Sequence, residues 1–217
     1  SVLNKGVDYN KHWGNIDRWT LNSNGDTIHN NSILNTKQNY FHKPQYSLRH
    51  FWVVNDKFYI SNISYASIGN GGGTGISGNT NNYDIFGQYN LQDAYNGNIG
   101  NTDLLYSDSE YKSSTYLRSS ISNHYWYGLL STANYNPSEE ISISGGLDLR
   151  TYKGEHYRKI YDLLGGDYAI DESNELQLTQ IKNVGDIVGY HNDGFVKWLG
   201  GFGQVEYNNG RVSTFFN

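Results

Sequence analysis

Residues 141–150 alternate strictly between two kinds of side chain, and no other feature constrains the fold as strongly. The odd positions carry Ile141, Ile143, Gly145, Leu147 and Leu149. The even positions carry Ser142, Ser144, Gly146, Asp148 and Arg150. A period of two predicts a β-strand, because successive side chains point to opposite faces of a sheet. An apolar face backed by a face with an acid and a base is typical of a membrane barrel, which has lipid outside and a wet lumen.

The composition excludes several kinds of partner, scaffold and membrane segment. The net charge is -5 and no basic run occurs, so we expect no nucleic-acid partner. The absence of cysteine excludes a disulfide scaffold and thiolate metal sites. No run approaches the ~18 apolar residues of a membrane-spanning helix, whereas a spanning β-strand needs only ~9–11 residues of alternating pattern.

Three hairpins are predicted from alternating runs that flank short polar turns. They cover residues 46–68, 119–152 and 195–217. The third has Asn209-Gly210 in its turn, which is the strongest short-range hairpin signal. The run from 119 to 135 is also much longer than the ~5–6 residues of an average strand.

Long connections separate these hairpins. We predict a loop-rich entry at residues 1–45, with one short strand near 33–40, and long loops at 69–118 and 153–192. A short strand is expected near 176–181. Short turns at one end of a sheet and long loops at the other are typical of outer-membrane barrels. An ordinary soluble sandwich with a tyrosine-rich surface is the alternative.

The glycine-rich stretch at residues 69–75 invites comparison with phosphate-binding loops. It lacks the Lys-Ser/Thr pair and the helix that a P-loop requires. We therefore expect a mobile or tightly turning loop where a strand leaves the membrane. Backbone contact with a ligand, which glycine would permit, is the alternative.

No arrangement of titratable residues has the spacing of a catalytic or metal site. The metal candidates are Glu155, His156, Asp162 and Asp167, and the calcium candidates are Asp167, Asp171 and Glu172. Neither set has the order of a known site, so structural or solvated roles are expected. His42, His50 and His124 have no Ser or Cys partner at a recognisable elbow. We expect no enzyme, no cofactor and no metal.

Two further groups have a structural and a functional interpretation. Asp148 and Arg150 lie two residues apart on one strand face, and a lumenal ion pair or a contact to a plug is favoured over acid–base catalysis. Trp13 and Trp19 lie in a predicted polar loop, where they could stack on a ligand. The tryptophans on strands fit an interfacial belt instead.

Six segments, in this order along the chain, resemble one known family. They are NYFHKPQYSLRH (39–50), SYASIGNGGGTG (64–75), NHYWYGLLST (123–132), GGLDLRTYKGEHYR (145–158), DLLGGDY (162–168) and GFGQVEY (201–207). Together they are similar to the barrel of TonB-dependent outer-membrane receptors of the Bacteroidetes type. The resemblance runs from about residue 39 to the end of the sequence.

The resemblance implies an all-β, antiparallel transmembrane β-barrel segment with long extracellular loops, part of a barrel of ~22 strands with a plugged lumen. The implied location is the cell outer membrane, and the implied function is uptake of a scarce nutrient of the siderophore, glycan or peptide class. The implied partners are outer-membrane lipid, the plug domain and other barrel strands of the receptor, and the TonB energy complex. A surface lipoprotein is a further candidate partner.

The sequence departs from this family in extent. It has no plug domain and no TonB box, it contains no Met, and it stops within a predicted strand at 215–217. We therefore expect residues 1–217 to be a middle portion of a receptor. A secreted soluble all-β carbohydrate-binding or adhesin module is the alternative function. An all-β glycosidase is weaker, because no pair of carboxylates stands out.

Overall fold

The computed structural model describes residues 5–7, 9–173, 176 and 180–217, and within them the fold is all-β with antiparallel sheets. The elements in chain order are β1 (Trp13–Leu21), β2 (Thr27–Asn35), β3 (Asn39–His42), β4 (Gln45–Asn55), β5 (Phe58–Ser77), α1 (Leu91–Asn98), β6 (Thr102–Asp103), β7 (Ser107–Tyr111), β8 (Tyr116–Tyr135), β9 (Ile141–Asp162), β10 (Ala169–Ile170), β11 (Ile181–Lys182), β12 (Ile187–Asn208) and β13 (Ser213–Phe216). No helix among the described residues is long and apolar enough to cross a membrane.

The main sheet has seven strands in the order β13-β12-β9-β8-β5-β3, with β4 also paired to β5. Its two ends do not pair with each other, so the sheet is open and does not close as a barrel; the all-β, antiparallel class is confirmed, and a place in the wall of a transmembrane barrel stays a prediction. Closure requires enough tilted strands for the first to reach the last. The sheet has only four strands of twenty residues or more, namely β5, β8, β9 and β12.

The three predicted hairpins are present as β4–β5, β8–β9 and β12–β13. Their short turns hydrogen-bond to one another: the Asn136 amide donates to the Lys57 carbonyl at 2.8 Å, and the Asn208 amide donates to the Glu140 carbonyl at 2.8 Å. The Lys57 ammonium also donates to the Pro137 carbonyl at 2.8 Å. The turns between these strands therefore share one end of the sheet.

The chain divides into two units. The core unit comprises Ser1–Tyr40, Gly71–Ser122 and His156–Asn192, and the sheet unit comprises Phe41–Asn70, Asn123–Glu155 and Asp193–Asn217. The long strands β5, β8, β9 and β12 contribute residues to both. The buried apolar side chains of the described residues all belong to the core unit.

The core unit is organised around helix α1. Asn90 begins the helix, because its side chain accepts a hydrogen bond from the Asp93 amide at 3.1 Å, as a good N-cap residue does. Helical spacing places Leu91, Ala94 and Tyr95 on one buried face. The cluster they join consists of Ile16, Tyr89, Leu91, Ala94, Tyr95, Leu117 and Leu164.

The predicted loop at residues 1–45 is wrong, because most of it forms strands. β1 and β2 pair in register from Trp13 opposite Asn35 to Leu21 opposite Thr27. Backbone hydrogen bonds hold this hairpin, and most side chains of β2 are exposed. An exposed strand needs no alternation of apolar residues, so the pattern carried no signal.

The predicted long loops are also wrong over much of their length. Within 69–118, β5 continues to Ser77, and α1, β6, β7 and the start of β8 follow. Within 153–192, β9 continues to Asp162, and β10, β11 and the start of β12 follow. The strand expected near 176–181 falls largely outside the described residues, and β11 begins at Ile181.

The glycine-rich segment 69–75 lies within β5 instead of forming a loop. A Cβ at Gly72 would come within 2.7 Å of the Ser120 carbonyl oxygen and 2.9 Å of the Tyr40 ring. Glycine at this position therefore lets the backbone of Ser120 and the ring of Tyr40 approach β5 closely, which is a recognised use of glycine in strands.

Candidate functional site

The strands of the sheet unit present two chemically different faces, and side-chain contacts assign residues to each. Trp126 packs edge-to-face against Tyr65, with ring centroids 6.2 Å apart, and against Tyr152 at 6.4 Å. A Cβ at Gly146 would meet the Phe202 ring at 2.6 Å, so these positions of β9 and β12 are also on one side. With the β4–β5 register and the alternation of side chains, these contacts define both faces.

We call one side the polar face. It comprises Gln45, Ser47, Arg49, Phe51 and Val53 of β4; Tyr59, Ser61, Ile63, Tyr65 and Ser67 of β5; Trp126, Gly128, Leu130, Thr132 and Asn134 of β8; Ser142, Ser144, Gly146, Asp148 and Arg150 of β9; and Trp198, Gly200, Phe202, Gln204 and Glu206 of β12.

We call the other side the apolar face. It comprises Tyr46, Leu48, His50 and Trp52 of β4; Phe58, Ile60, Asn62, Ser64 and Ala66 of β5; Tyr127, Leu129, Ser131, Ala133 and Tyr135 of β8; Ile141, Ile143, Gly145, Leu147 and Leu149 of β9; and Leu199, Gly201, Gly203, Val205 and Tyr207 of β12. Among these positions Asp, Glu, Lys and Arg are absent, whereas the polar face includes Arg49, Asp148, Arg150 and Glu206.

The apolar face is exposed to a degree that is unusual for a folded domain. Leu48 is 70% exposed, Leu147 is 55% exposed and Leu199 is 74% exposed. No apolar side chain of the sheet unit, all of whose residues the structure describes, is buried. Monomeric soluble proteins rarely expose an apolar patch larger than a few hundred Å². This face therefore has the chemistry of a surface that something apolar covers.

The height of the apolar face matches a bilayer. From Leu199 to Tyr207 the strand extends roughly 27 Å at ~3.4 Å per residue. A barrel tilt of ~35–45° projects this length to roughly 19–22 Å, slightly less than the ~25 Å apolar band of outer-membrane barrels. Beyond Leu199 and Leu149, the same side of the sheet carries Lys197 and Lys153.

Four polar residues, His50, Asn62, Ser64 and Ser131, interrupt the apolar face, and three of them contact one another. The Asn62 side chain lies 3.2 Å from the His50 Nδ1 and accepts a hydrogen bond from the Ser131 hydroxyl at 2.6 Å. Because these groups satisfy one another, the free-energy cost of placing them in an apolar medium is reduced.

The polar face holds an ion pair. The Arg150 Nε and Nη2 atoms donate to the two carboxylate oxygens of Asp148 at 2.9 Å and 2.5 Å. A bidentate arginine–carboxylate pair is stronger and more specific in geometry than a pair with one hydrogen bond. The predicted pairing of Asp148 with Arg150 is therefore confirmed, while a plug contact stays a prediction. His124 of β8 has its Nδ1 2.6 Å from the Tyr152 hydroxyl.

The structure separates the metal candidates of the sequence. Glu155 pairs with Lys153 at 2.7 Å, and Asp162 pairs with Arg18. Asp167 accepts the Tyr111 amide at 2.8 Å, and Asp171 accepts the Gly189 amide at 2.9 Å. Among the described residues, no three His, Asp or Glu side chains lie close enough together to hold a metal ion.

The remaining candidates lie apart. His156 has its Nδ1 3.1 Å from the Ser122 hydroxyl, and Glu172 and His42 are exposed. Trp13 and Trp19 lie on β1, not in a loop, and are 40% and 38% exposed. Trp19 lines a cavity of about 350 Å³ in the core unit, but the cation there, Arg18, is already paired with Asp162.

A second cavity in the core unit has a volume of about 380 Å³, and the charged side chains that line it are all positive. We call it the cationic pocket, and its lining is Lys11, His12, Thr36, Lys37, Gly75, Ile76, Thr80, Asn81, Tyr83, Tyr89 and Arg118. This lining contains no carboxylate. Sequence reasoning missed the pocket because its cations come from β8 and from segments before β1 and after β2, which no short motif connects.

Burial and charge perturb the titratable groups of the cationic pocket. Partial burial, and then the nearby Lys11 and Lys37 charges, lower the pKa of His12. Burial raises the pKa of Tyr89 to about 12, and its hydroxyl donates to the Asn79 carbonyl. Partial burial, and then the charge of Arg158, lower the pKa of Arg118. The charges of Lys11 and Lys37 thus disfavour the protonated form of His12, and the charge of Arg158 disfavours the charged form of Arg118.

Comparison with models of known protein families, with curated proteins and with solved structures finds no match to this chain.

Proposed function

We propose that this chain is part of the wall of an outer-membrane transporter of the TonB-dependent receptor class. The observation that carries the proposal is the sheet unit, which leaves its apolar face exposed and buries no apolar side chain among its described residues. A sheet with lipid on one face and water on the other needs no such core. The resemblance of the six sequence segments supports the same class.

The wall would perform no chemistry. In this account its polar face borders the path of the ligand, and the charges of Arg49, Asp148, Arg150 and Glu206 lie where water reaches them. The core unit, built largely from the long connections between hairpins, is the part that captures a scarce nutrient of the siderophore, glycan or peptide class.

An open sheet also requires partners in this account. Unpaired strand edges are not tolerated in hydrocarbon, because no water is there to satisfy the backbone groups. The partners are therefore outer-membrane lipid on the apolar face, and further barrel strands at the free edges. A plug domain in the lumen and the TonB energy complex complete the transporter, and a surface lipoprotein is a further candidate.

A secreted soluble binding module is the second candidate. The core unit favours it, because its cluster of buried residues around Leu91 and Leu117 is sufficient for part of a water-soluble fold. Its difficulty is the sheet unit, which would have to expose Leu48 and Leu199 to water.

Vesicle flotation separates the two candidates. The full chain, refolded with phosphatidylcholine vesicles and centrifuged in a density gradient, is expected to rise with the lipid, because burial of the apolar face in lipid is favourable and the free edges of neighbouring copies can pair with one another. A chain that stays at the bottom of the gradient and is monodisperse without detergent would support the soluble module.

A further inference from the structure

We propose that the cationic pocket binds a small organic anion, one that carries a carboxylate, sulfate or phosphate group on a ring or hydroxylated body. The proposal concerns the core unit alone, so it stands whether or not the sheet unit spans a membrane. It assigns a ligand chemistry to a site that no sequence motif marks.

The charged side chains that line the cationic pocket all have the same sign. Acidic residues outnumber basic ones in this sequence, 21 to 16, yet Lys11, Lys37 and Arg118 meet around one cavity whose lining has no carboxylate. Solvated charged surfaces normally mix both signs. A cleft lined by one sign of charge concentrates ligands of the opposite sign.

The cations of the cationic pocket differ from the other cations of the chain in their partners. Arg18, Lys112, Arg150 and Lys153 each lie within 4.0 Å of a carboxylate. Within the described part of the chain, none of the three pocket cations does. The hydrogen bond that the Arg118 guanidinium makes is to the Ser120 hydroxyl, at 2.7 Å. Most of its donors are therefore available to a ligand.

A second arginine increases the positive electrostatic potential at Arg118. Arg158 is close enough to lower the pKa of Arg118 by charge repulsion, and its guanidinium lies 5.0 Å from the centroid of the Tyr190 ring. The Arg158 Nε is buried without a hydrogen-bond partner. Within the described ranges no carboxylate pairs with either guanidinium group, and two neighbouring like charges are a destabilising arrangement that a bound anion would relieve.

The rest of the lining specifies an organic ligand. Tyr83 is 47% exposed and packs edge-to-face on the buried Tyr89, with ring centroids 6.1 Å apart, so its ring is held in place for stacking. Thr80 and Asn81 offer hydroxyl and amide groups to the same cavity. The volume of about 380 Å³ lies in the range of small-molecule sites, ~300–1,000 Å³.

The test is calorimetric titration of the full chain in detergent micelles at low salt, with glucuronate, inorganic sulfate and neutral glucose as probes. We expect glucuronate to bind more tightly than sulfate, and glucose to bind weakly or not at all. Arg118→Gln is expected to weaken glucuronate binding about tenfold or more, since a charge-assisted hydrogen bond is lost. Arg118→Lys, which keeps the charge, should retain part of the affinity.

Lys159→Gln is the control, because it removes a cation of the core unit that does not line the pocket. Nuclear magnetic resonance of His12 gives a second measurement: bound glucuronate should raise the pKa of His12, because its charge offsets Lys11 and Lys37. The proposal is overturned if no anion binds, or if Arg118→Gln and Lys159→Gln bind glucuronate equally. Vesicle flotation of the same variants should be unchanged, so failure here is distinct from failure of the membrane account.

Discussion

Replacing Asn98 with leucine is expected to lower the free energy of unfolding by about 3–5 kcal/mol. Asn98 is 1% exposed at the end of helix α1. Its amide nitrogen lies within hydrogen-bonding distance of the carbonyl oxygens of Thr115 (2.7 Å), Leu163 (3.1 Å) and Leu164 (2.9 Å). Its amide oxygen accepts the Ser114 amide at 2.9 Å. One side chain thus joins the helix to the segment just before β8 and the segment just after β9.

The size of the effect follows from the groups left behind. A leucine of similar volume keeps the packing but leaves buried carbonyl and amide groups without partners, each at a cost of ~1–3 kcal/mol. Asn96→Leu on the exposed side of the same helix is the control, and should change stability by less than ~0.5 kcal/mol. Urea denaturation followed by circular dichroism measures both. Equal effects of the two substitutions would show that Asn98 does not hold the core unit together.

Replacing Leu147 with arginine is expected to abolish most vesicle association. Leu147 lies in the middle of the apolar face and is 55% exposed. At the bilayer midplane an arginine on the lipid face costs about 2–4 kcal/mol. In a soluble module the same exposed position would tolerate arginine within ~0.5 kcal/mol. Opposite results of this one substitution are therefore expected for a membrane wall and for a soluble module.

Ser144→Arg is the matched control for Leu147→Arg. It places the same charge on the same strand, but on the polar face, which already carries Asp148 and Arg150. The floating fraction should stay near that of the unmodified chain for Ser144→Arg and fall sharply for Leu147→Arg. If the two variants float equally, the assignment of the faces is incorrect.

Local alternation made part of this fold predictable. The run at 141–150 predicted a strand with two unlike faces, and β9 has them, because period-two patterning depends only on neighbouring residues. The three hairpins were predictable for the same reason, with turn residues marking each reversal.

Other elements carried too little local signal. Helix α1 spans only Leu91–Asn98, and its stability comes from packing on β1 and not from its sequence alone. The cationic pocket depends on residues as far apart as Lys11 and Arg118, which only the fold brings together. Closure of a sheet likewise depends on which strands meet at its edges, and side-chain periodicity does not encode this.

Fluorescence quenching by brominated lipid tests the membrane account most directly. The chain has five tryptophans. Trp52 lies on the apolar face and Trp126 on the polar face, so variants that keep one of them and replace the others with phenylalanine report on each face separately. In vesicles with brominated acyl chains, we predict strong quenching of Trp52 and little quenching of Trp126. Equal quenching of both, or quenching of neither, would contradict the account.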